Sequence, residues 1–336
     1  MGEPAPLLAT DLNPVPPGAA AEWVSGVGGR RLRVARFAPP AAARGSVILS
    51  GGRTEPIEKY FETATELTQR GFVVLAHDWR GQGLSERLLG EPLKGHAERY
   101  ADFAEDLAAL SGAFEARLPK PWIAVGHSMG GCLTALVLAM GERRLSGAVL
   151  SAPMFGIRLG AFPEPLARAL ALAAPALGLG GLMPPGSRLH APPASFEDNI
   201  LTHDPQRYAR NVGITEAHAD LALGPPTFGW LRFAFAAMDE LQKGDGLAQT
   251  RVPVTVVAAG DDQIADNRAL RQVTARVPHG RYVEAPGAFH EILQETDALR
   301  AVFWREFDAL AARILAGSRL KDPSPLAGEG VAEGDG

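Results

Sequence analysis

The chain reads as an α/β protein: a mostly parallel, mixed sheet flanked by helices and interrupted by a mainly helical insertion. Three observations predict this. Short β-like runs alternate with amphipathic stretches, the alternation stops for one long segment, and a glycine-flanked serine stands where a run gives way to a helix.

The β-like runs occupy residues 32–37, 46–49, 72–76, 122–125, 148–150 and 252–258. Helical patterns occupy residues 57–69, 100–118, 129–140 and 296–315, with apolar positions at helical spacing as at Phe103, Leu107 and Leu110. Strands separated by helices pair in parallel. The first two runs have no helix between them, so the sheet is expected to begin with an antiparallel edge pair. From 153 to 250 prolines, glycines and helical pieces replace the strands. The clearest helix there spans 229–242 and sets Trp230, Phe233, Ala234, Ala237, Met238 and Leu241 on one face. The expected organisation is an N-terminal extension (1–21), a first core part (22–152), a helical cap insertion (153–250), a second core part (251–316) and a disordered tail (317–336) rich in glycine, proline and acids.

A chain of 336 residues has room for a substantial core. Its net charge of -5, with 33 basic and 38 acidic residues interspersed, offers no basic field for nucleic acid. Cys132 is the single cysteine, which excludes an internal disulfide and suits a packing role. The first 17 residues carry Glu3 and Asp11, several prolines and no lysine or arginine, unlike a secretory signal, so the expected location is cytoplasmic. The most apolar stretch, 161–183, is broken by prolines, glycines, Glu164 and Arg168. That pattern argues against a membrane span and leaves peripheral contact of the cap with the inner face of a membrane.

Gly126-His127-Ser128-Met129-Gly130-Gly131 places Ser128 on a sharp strand-to-helix turn with its hydroxyl outward, and no other serine meets the G-x-S-x-G pattern. The plainer alternative is a serine that caps the following helix. A serine nucleophile needs a histidine base and a carboxylate to hold the imidazolium, in the chain order serine, acid, histidine. Gly260-Asp261-Asp262 follows a late run, at the strand edge where active-site groups collect. Asp261 and Asp262 leave the strand in different directions, and the residues alone do not choose between them. His77, His96 and His127 precede the serine, and His190, His203 and His218 fall in the insertion. Of His279 and His290, the latter is preferred because it sits in a loop after a run at 281–283 and before the last helix. The oxyanion donors are expected from Met129 N–H and from Ser50-Gly51-Gly52-Arg53, with Gly52 first and Arg53 second. His77 to Gly83 lacks a phosphate-loop pattern and reads as a packed, arginine-braced turn.

Asp78-Trp79-Arg80-Gly81-Gln82-Gly83-Leu84-Ser85, the serine hexapeptide and Ser151-Ala152-Pro153-Met154 together resemble α/β-hydrolases of the monoacylglycerol lipase group, bacterial lysophospholipases above all. The likeness continues through Asn199-Ile200-Leu201-Thr202-His203, Gln206-Arg207-Tyr208, Ala265-Asp266-Asn267-Arg268 and Gly287-Ala288-Phe289-His290-Glu291-Ile292-Leu293, covering residues 22–315. In that family the acid stands four residues before a second aspartate, a spacing that Asp262 and Asp266 reproduce, so the resemblance implies Asp262. It also implies hydrolysis of a single-chain lipid ester through a serine acyl-enzyme, without metal or organic cofactor. Lysophospholipid is the leading substrate, and monoacylglycerol or a general carboxylic ester the alternative. One departure is Ser50-Gly51, where many relatives carry histidine-glycine. Arg207 and Arg210, in the cap, are candidates for a phosphate headgroup or plain solvent-facing charges. The rival from another class is a binding protein that keeps the fold without turnover.

Overall fold

The structure, a computed structural model, describes residues 2–321 apart from 161, 191 and 192. In chain order the strands are β1 (Pro4–Ala5), β2 (Ala20–Ser25), β3 (Arg31–Phe37), β4 (Gly45–Ser50), β5 (Phe72–His77), β6 (Trp122–His127), β7 (Leu145–Ser151), β8 (Val254–Ala259) and β9 (Gly280–Ala285). The helices are α1 (Phe61–Gln69), α2 (Tyr100–Ala113), α3 (Met129–Ala139), α4 (Glu164–Ala176), α5 (Pro205–Ala217), α6 (Phe228–Lys243), α7 (Asn267–Thr274) and α8 (Asp297–Lys321). One sheet runs β1-β2-β3-β5-β4-β6-β7-β8-β9. It is antiparallel from β1 to β5 and parallel from β5 to β9.

The sheet is mixed, but its expected edge pair is corrected. β3 does not lie beside β4; it pairs antiparallel with β5, Val34 opposite His77. The crossover from β4 through α1 lays β5 parallel to β4 on the side that β3 would otherwise take. The residues expected as an extension contribute β1 and the start of β2 to the sheet. At the other end α8 continues through Lys321, so 317–321 are helical and the rest of the expected tail lies outside the described residues.

Alternation along the parallel strands assigns the two faces. Ile48, Trp122, Ala124 and Leu150 point into a cluster with Leu107, Leu133, Leu136 and Phe233. Val47, Leu49, Ile123 and Val125 point the other way, onto Phe61, Leu67, Phe303 and Phe307 of α1 and α8. α3 is buried from Met129 through Leu138, which explains why it is apolar all round. Between β7 and β8 the described residues hold helices and no strand. There α6 turns Phe233, Ala234, Ala237, Met238 and Leu241 into the core, the stripe read from the sequence. α4 packs on α6 through small residues, Ala167, Ala171 and Ala174, and leaves its leucines outside. Among the described residues no helix is long and apolar enough to cross a membrane.

Candidate active site

β6 ends at His127 and α3 begins at Met129, so Ser128 alone makes the turn, at φ 49° and ψ -116°. For a residue with a Cβ this conformation is strained by about 1–3 kcal/mol. It is held by Ser128 N–H donating to the Ser151 carbonyl at 3.0 Å and by the Ser128 carbonyl accepting from Cys132 and Met154. The flanking glycines are required by contact. A Cβ on Gly126 would come within 2.8 Å of Gly131 Cα, and one on Gly130 within 2.3 Å of the Ser50 carbonyl oxygen. The first turn of α3 thereby packs directly on the loop after β4.

The two other candidates, His290 and Asp262, line up on this serine. Its Nε2 is 3.0 Å from Ser128 Oγ, and its Nδ1 is 2.8 Å from Asp262 Oδ2. The second carboxylate oxygen, Asp262 Oδ1, accepts from the N–H groups of Ile264 and Ala265, both at 2.8 Å. Burial would raise this carboxyl, but the hydrogen bonds from His290 and the two amides outweigh it and hold Asp262 below the ordinary aspartate value. Asp261 and His279, the rivals, are exposed. Asp266 caps α7 by accepting from Arg268 N–H. The spacing of the two aspartates thus joins one that faces the histidine to one that starts a helix.

The loop carrying His290 is tied to the insertion. Glu291 N–H donates to the Leu201 carbonyl at 2.9 Å, and Thr202 Oγ1 donates to that of Gln294 at 2.6 Å. Glu295, fully buried, accepts from His203 N–H at 3.0 Å and from Phe289 N–H at 2.8 Å, with His203 Nδ1 also 2.8 Å away. Asn199 Oδ1 closes this connection by accepting from Leu201 and Thr202. The insertion therefore helps to set where the imidazole stands.

The expected oxyanion donors differ in their partners. Met129 lies in the first turn of α3, where N–H groups have no intrahelical acceptor. Gly52 N–H, however, already donates to Glu55 Oε2, because Glu55 is buried three residues on and needs donors. Among the described residues Arg53 N–H has no acceptor. Glu55 also takes the Tyr60 hydroxyl and Lys59 Nζ at 2.9 Å, and Lys59 bridges on to Glu291 at 2.6 Å. Burial would raise Glu55, yet Lys59, His127 and Tyr60 bring it down to about 2. A carboxyl depressed from 4.5 to about 2 contributes stability that is complete above pH 4.5 and lost as the pH falls through 2. Glu55→Gln is accordingly expected to flatten the acid limb of a stability–pH curve between those values. Acid unfolding with an unchanged limb would count against it. This cluster, and the role of Asn199 to His203 in holding the histidine loop, have no signature in local periodicity. Only the resemblance marked the second.

Ser50, the departure in the oxyanion loop, sets its Oγ 3.0 Å from His77 Nε2, and burial lowers His77 to about 4. Cys132 is buried and its thiol is pushed up by burial, as a packing residue should be. Arg207 and Arg210 are not free cations. Arg207 binds Glu62, Asp204 and Asp297, and Arg210 binds Glu62 at 2.7 Å and Gln294 at 2.8 Å. Two carboxylates of the core, on α1 and α8, therefore clamp α5, and the expected headgroup role is corrected. A cavity of about 790 Å³ lies between insertion and core. Leu93, Leu201, Val212, Leu223, Ile264 and Glu291 are among its walls. No group of histidine, cysteine and carboxylate side chains suited to a metal occurs among the described residues.

A family model described as serine aminopeptidase, S33, matches residues 41–297, most of the chain. The chain belongs to this α/β-hydrolase family. Within it, the chain is 37% identical over 269 residues to lysophospholipase L2 of Escherichia coli, covering 76% of this chain and 77% of that protein. It is 29% identical over 282 residues to a monoacylglycerol lipase of Mycolicibacterium smegmatis, covering 81% and 90%. Among solved structures, a soluble variant of monoglyceride lipase from Saccharomyces cerevisiae, in complex with a substrate analog, superposes with a TM-score of 0.70 at 20% identity, over 91% of this chain and 98% of that one. This last likeness speaks to the hydrolase fold.

Proposed function

We propose that the chain hydrolyses the carboxylic ester of a single-chain lipid, a lysophospholipid first, through an acyl-enzyme on Ser128. The observation that carries this reading is the unbroken hydrogen-bonded line from Ser128 Oγ through His290 to Asp262, at 3.0 and 2.8 Å. His290 Nε2 takes the hydroxyl proton as Oγ attacks the ester carbonyl, and Asp262 stabilises the imidazolium. Met129 N–H and one amide of the 52–53 loop receive the oxyanion: Arg53, which has no acceptor, or Gly52 once it releases Glu55. The intermediate collapses, His290 protonates the departing glycerol oxygen, and water activated by the same imidazole then frees the fatty acid. Apart from water, the groups that carry these steps belong to the chain.

The substrate class is supported by the relative named as a lysophospholipase and by the cavity beside the histidine loop, whose volume and aliphatic walls suit a single acyl chain. Monoacylglycerol is the second reading, favoured by the relative named as its lipase. The insertion acts in this account as a cap that selects the alcohol and the chain. Side-by-side assay of lysophospholipid, monoacylglycerol and short-chain esters is the test. Lysophospholipid should give the highest kcat/KM, and a preference for short water-soluble esters would overturn the lipid assignment.

The cap also supports peripheral contact with a lipid surface. Phe162 just before α4, and Leu166, Leu170, Leu172, Leu177, Leu179 and Leu182 on or after it, are 39–75% exposed, a concentration of apolar side chains that a solvated surface seldom carries. Replacing Leu166, Leu172 and Leu177 together by serine is expected to lower partitioning into phospholipid vesicles by about tenfold or more in a sedimentation assay. Equal partitioning of variant and parent would remove the α4 face from the account.

A further inference from the structure

Among the described residues Arg53 is a cation without a counter-charge. Nη2 donates to the Gly224 carbonyl, and among the described residues the buried Nε has no acceptor and no carboxylate pairs with the guanidinium. Each of its cationic neighbours at the cap–core seam has carboxylate partners or several carbonyl acceptors, although Arg210 Nε, like Arg53 Nε, is buried without an acceptor among the described residues. Lys59 lies between Glu55 and Glu291, Arg207 and Arg210 meet carboxylates, and Arg87 reaches the carbonyls of Gly81, Asp220 and Ala222. Burial with nothing to oppose it lowers Arg53 to about 10, so it stays charged at neutral pH. A guanidinium desolvated and left with open N–H donors is unfavourable until an anion completes it.

Its position says which anion. The loop at 50–52 touches the catalytic turn, since a Cβ on Gly52 would lie 3.1 Å from His127 Cδ2 and one on Gly130 would meet the Ser50 and Gly51 carbonyls. Arg53 is the next residue. Its guanidinium is seated 5.2 Å from the Trp230 ring centroid, in space left by Gly95, where a Cβ would come within 3.2 Å of its Cζ. Gly224, which accepts its one bond, and Thr54, which follows it in the chain, both line the 790 Å³ cavity. In a lysophospholipid the phosphate is one glycerol unit from the scissile ester, and a planar fork of N–H donors matches its oxygens.

We propose that the Arg53 guanidinium binds the headgroup phosphodiester and thereby makes the site prefer a lysophospholipid to a neutral monoacylglycerol, an assignment that rests on the ester-hydrolase reading above. The test compares 1-palmitoyl lysophosphatidylethanolamine with 1-palmitoylglycerol in the same detergent micelles, which share acyl chain and ester. The ratio of their kcat/KM values is expected to fall about tenfold or more in Arg53→Met and to recover in part in Arg53→Lys, which restores charge without the fork. A ratio that does not move overturns the assignment while leaving ester hydrolysis intact. Failure of the parent enzyme to turn over either lipid overturns the underlying reading instead. A second arm needs no variant: glycerol 3-phosphate should inhibit monoacylglycerol hydrolysis competitively where glycerol does not. Equal inhibition by inorganic phosphate, with no advantage for glycerol 3-phosphate, would mark a free-anion site and overturn the headgroup assignment.

Discussion

Ser128→Ala is expected to lower kcat on every ester substrate by about 10⁴- to 10⁶-fold while the protein stays folded. The side chain lost is a single hydroxyl, hydrogen-bonded only to His290 Nε2 and not to the core. What holds the turn together is main chain: the bonds of Ser128 N–H to Ser151 and of its carbonyl to Cys132 and Met154 survive the change. Alanine also accepts the same positive φ about as well as serine, so little stability should change. Removal of a serine nucleophile typically leaves only the catalysis that binding and oxyanion donors provide. Steady-state kinetics with a melting curve on the same sample checks both halves. A residual rate within about tenfold of the parent would place the nucleophile elsewhere.

Arg33→Met is expected to act on the fold, destabilising it by about 3–5 kcal/mol. Arg33 is fully buried on β3 between two fully buried carboxylates. It makes a bidentate pair with Glu58, both bonds 2.7 Å, and a third bond of 2.7 Å to Asp78. Asp78 in turn accepts from Ile57 and Leu84 N–H, both at 2.9 Å, so it pins the turn after β5 and the start of the segment leading into α1. Removing the guanidinium leaves two carboxylates buried without a cation, the case in which a broken ion pair is most damaging. Urea denaturation of the two proteins measures the difference. A loss below about 1 kcal/mol would mean that water or a rearranged cation replaces Arg33.

The sequence-readable part of the molecule is the part in which chemistry repeats locally. Val47, Ile48 and Leu49 announce a strand by composition, and the stripe from Trp230 to Leu241 announces α6 by spacing. β1 has two residues and no period to detect, and the order β3-β5-β4 depends on a crossover that no single strand encodes. At the site, Ser128 was legible because the turn demands glycines at fixed places. Asp262 was separable from Asp261 only through family spacing. The structure adds the physical difference, a side chain facing His290 against one facing water. The bond that occupies the Gly52 amide and the ion pairs of Arg207 and Arg210 were not legible in the sequence. Glu55 stands only three residues from Gly52 but has no periodic signature, whereas Glu62 is 145 residues from Arg207 and its approach is decided by tertiary packing.

The central claim is that lipid-ester turnover runs through Ser128. Titration of the protein with a fluorophosphonate, following covalent occupancy of Ser128 by peptide mass spectrometry and fatty-acid release from lysophosphatidylethanolamine in parallel, tests it most directly. Activity should fall in proportion to occupancy and vanish when Ser128 is fully labelled. Fatty-acid release that persists at full occupancy, or a folded protein whose Ser128 takes no label, would contradict the account.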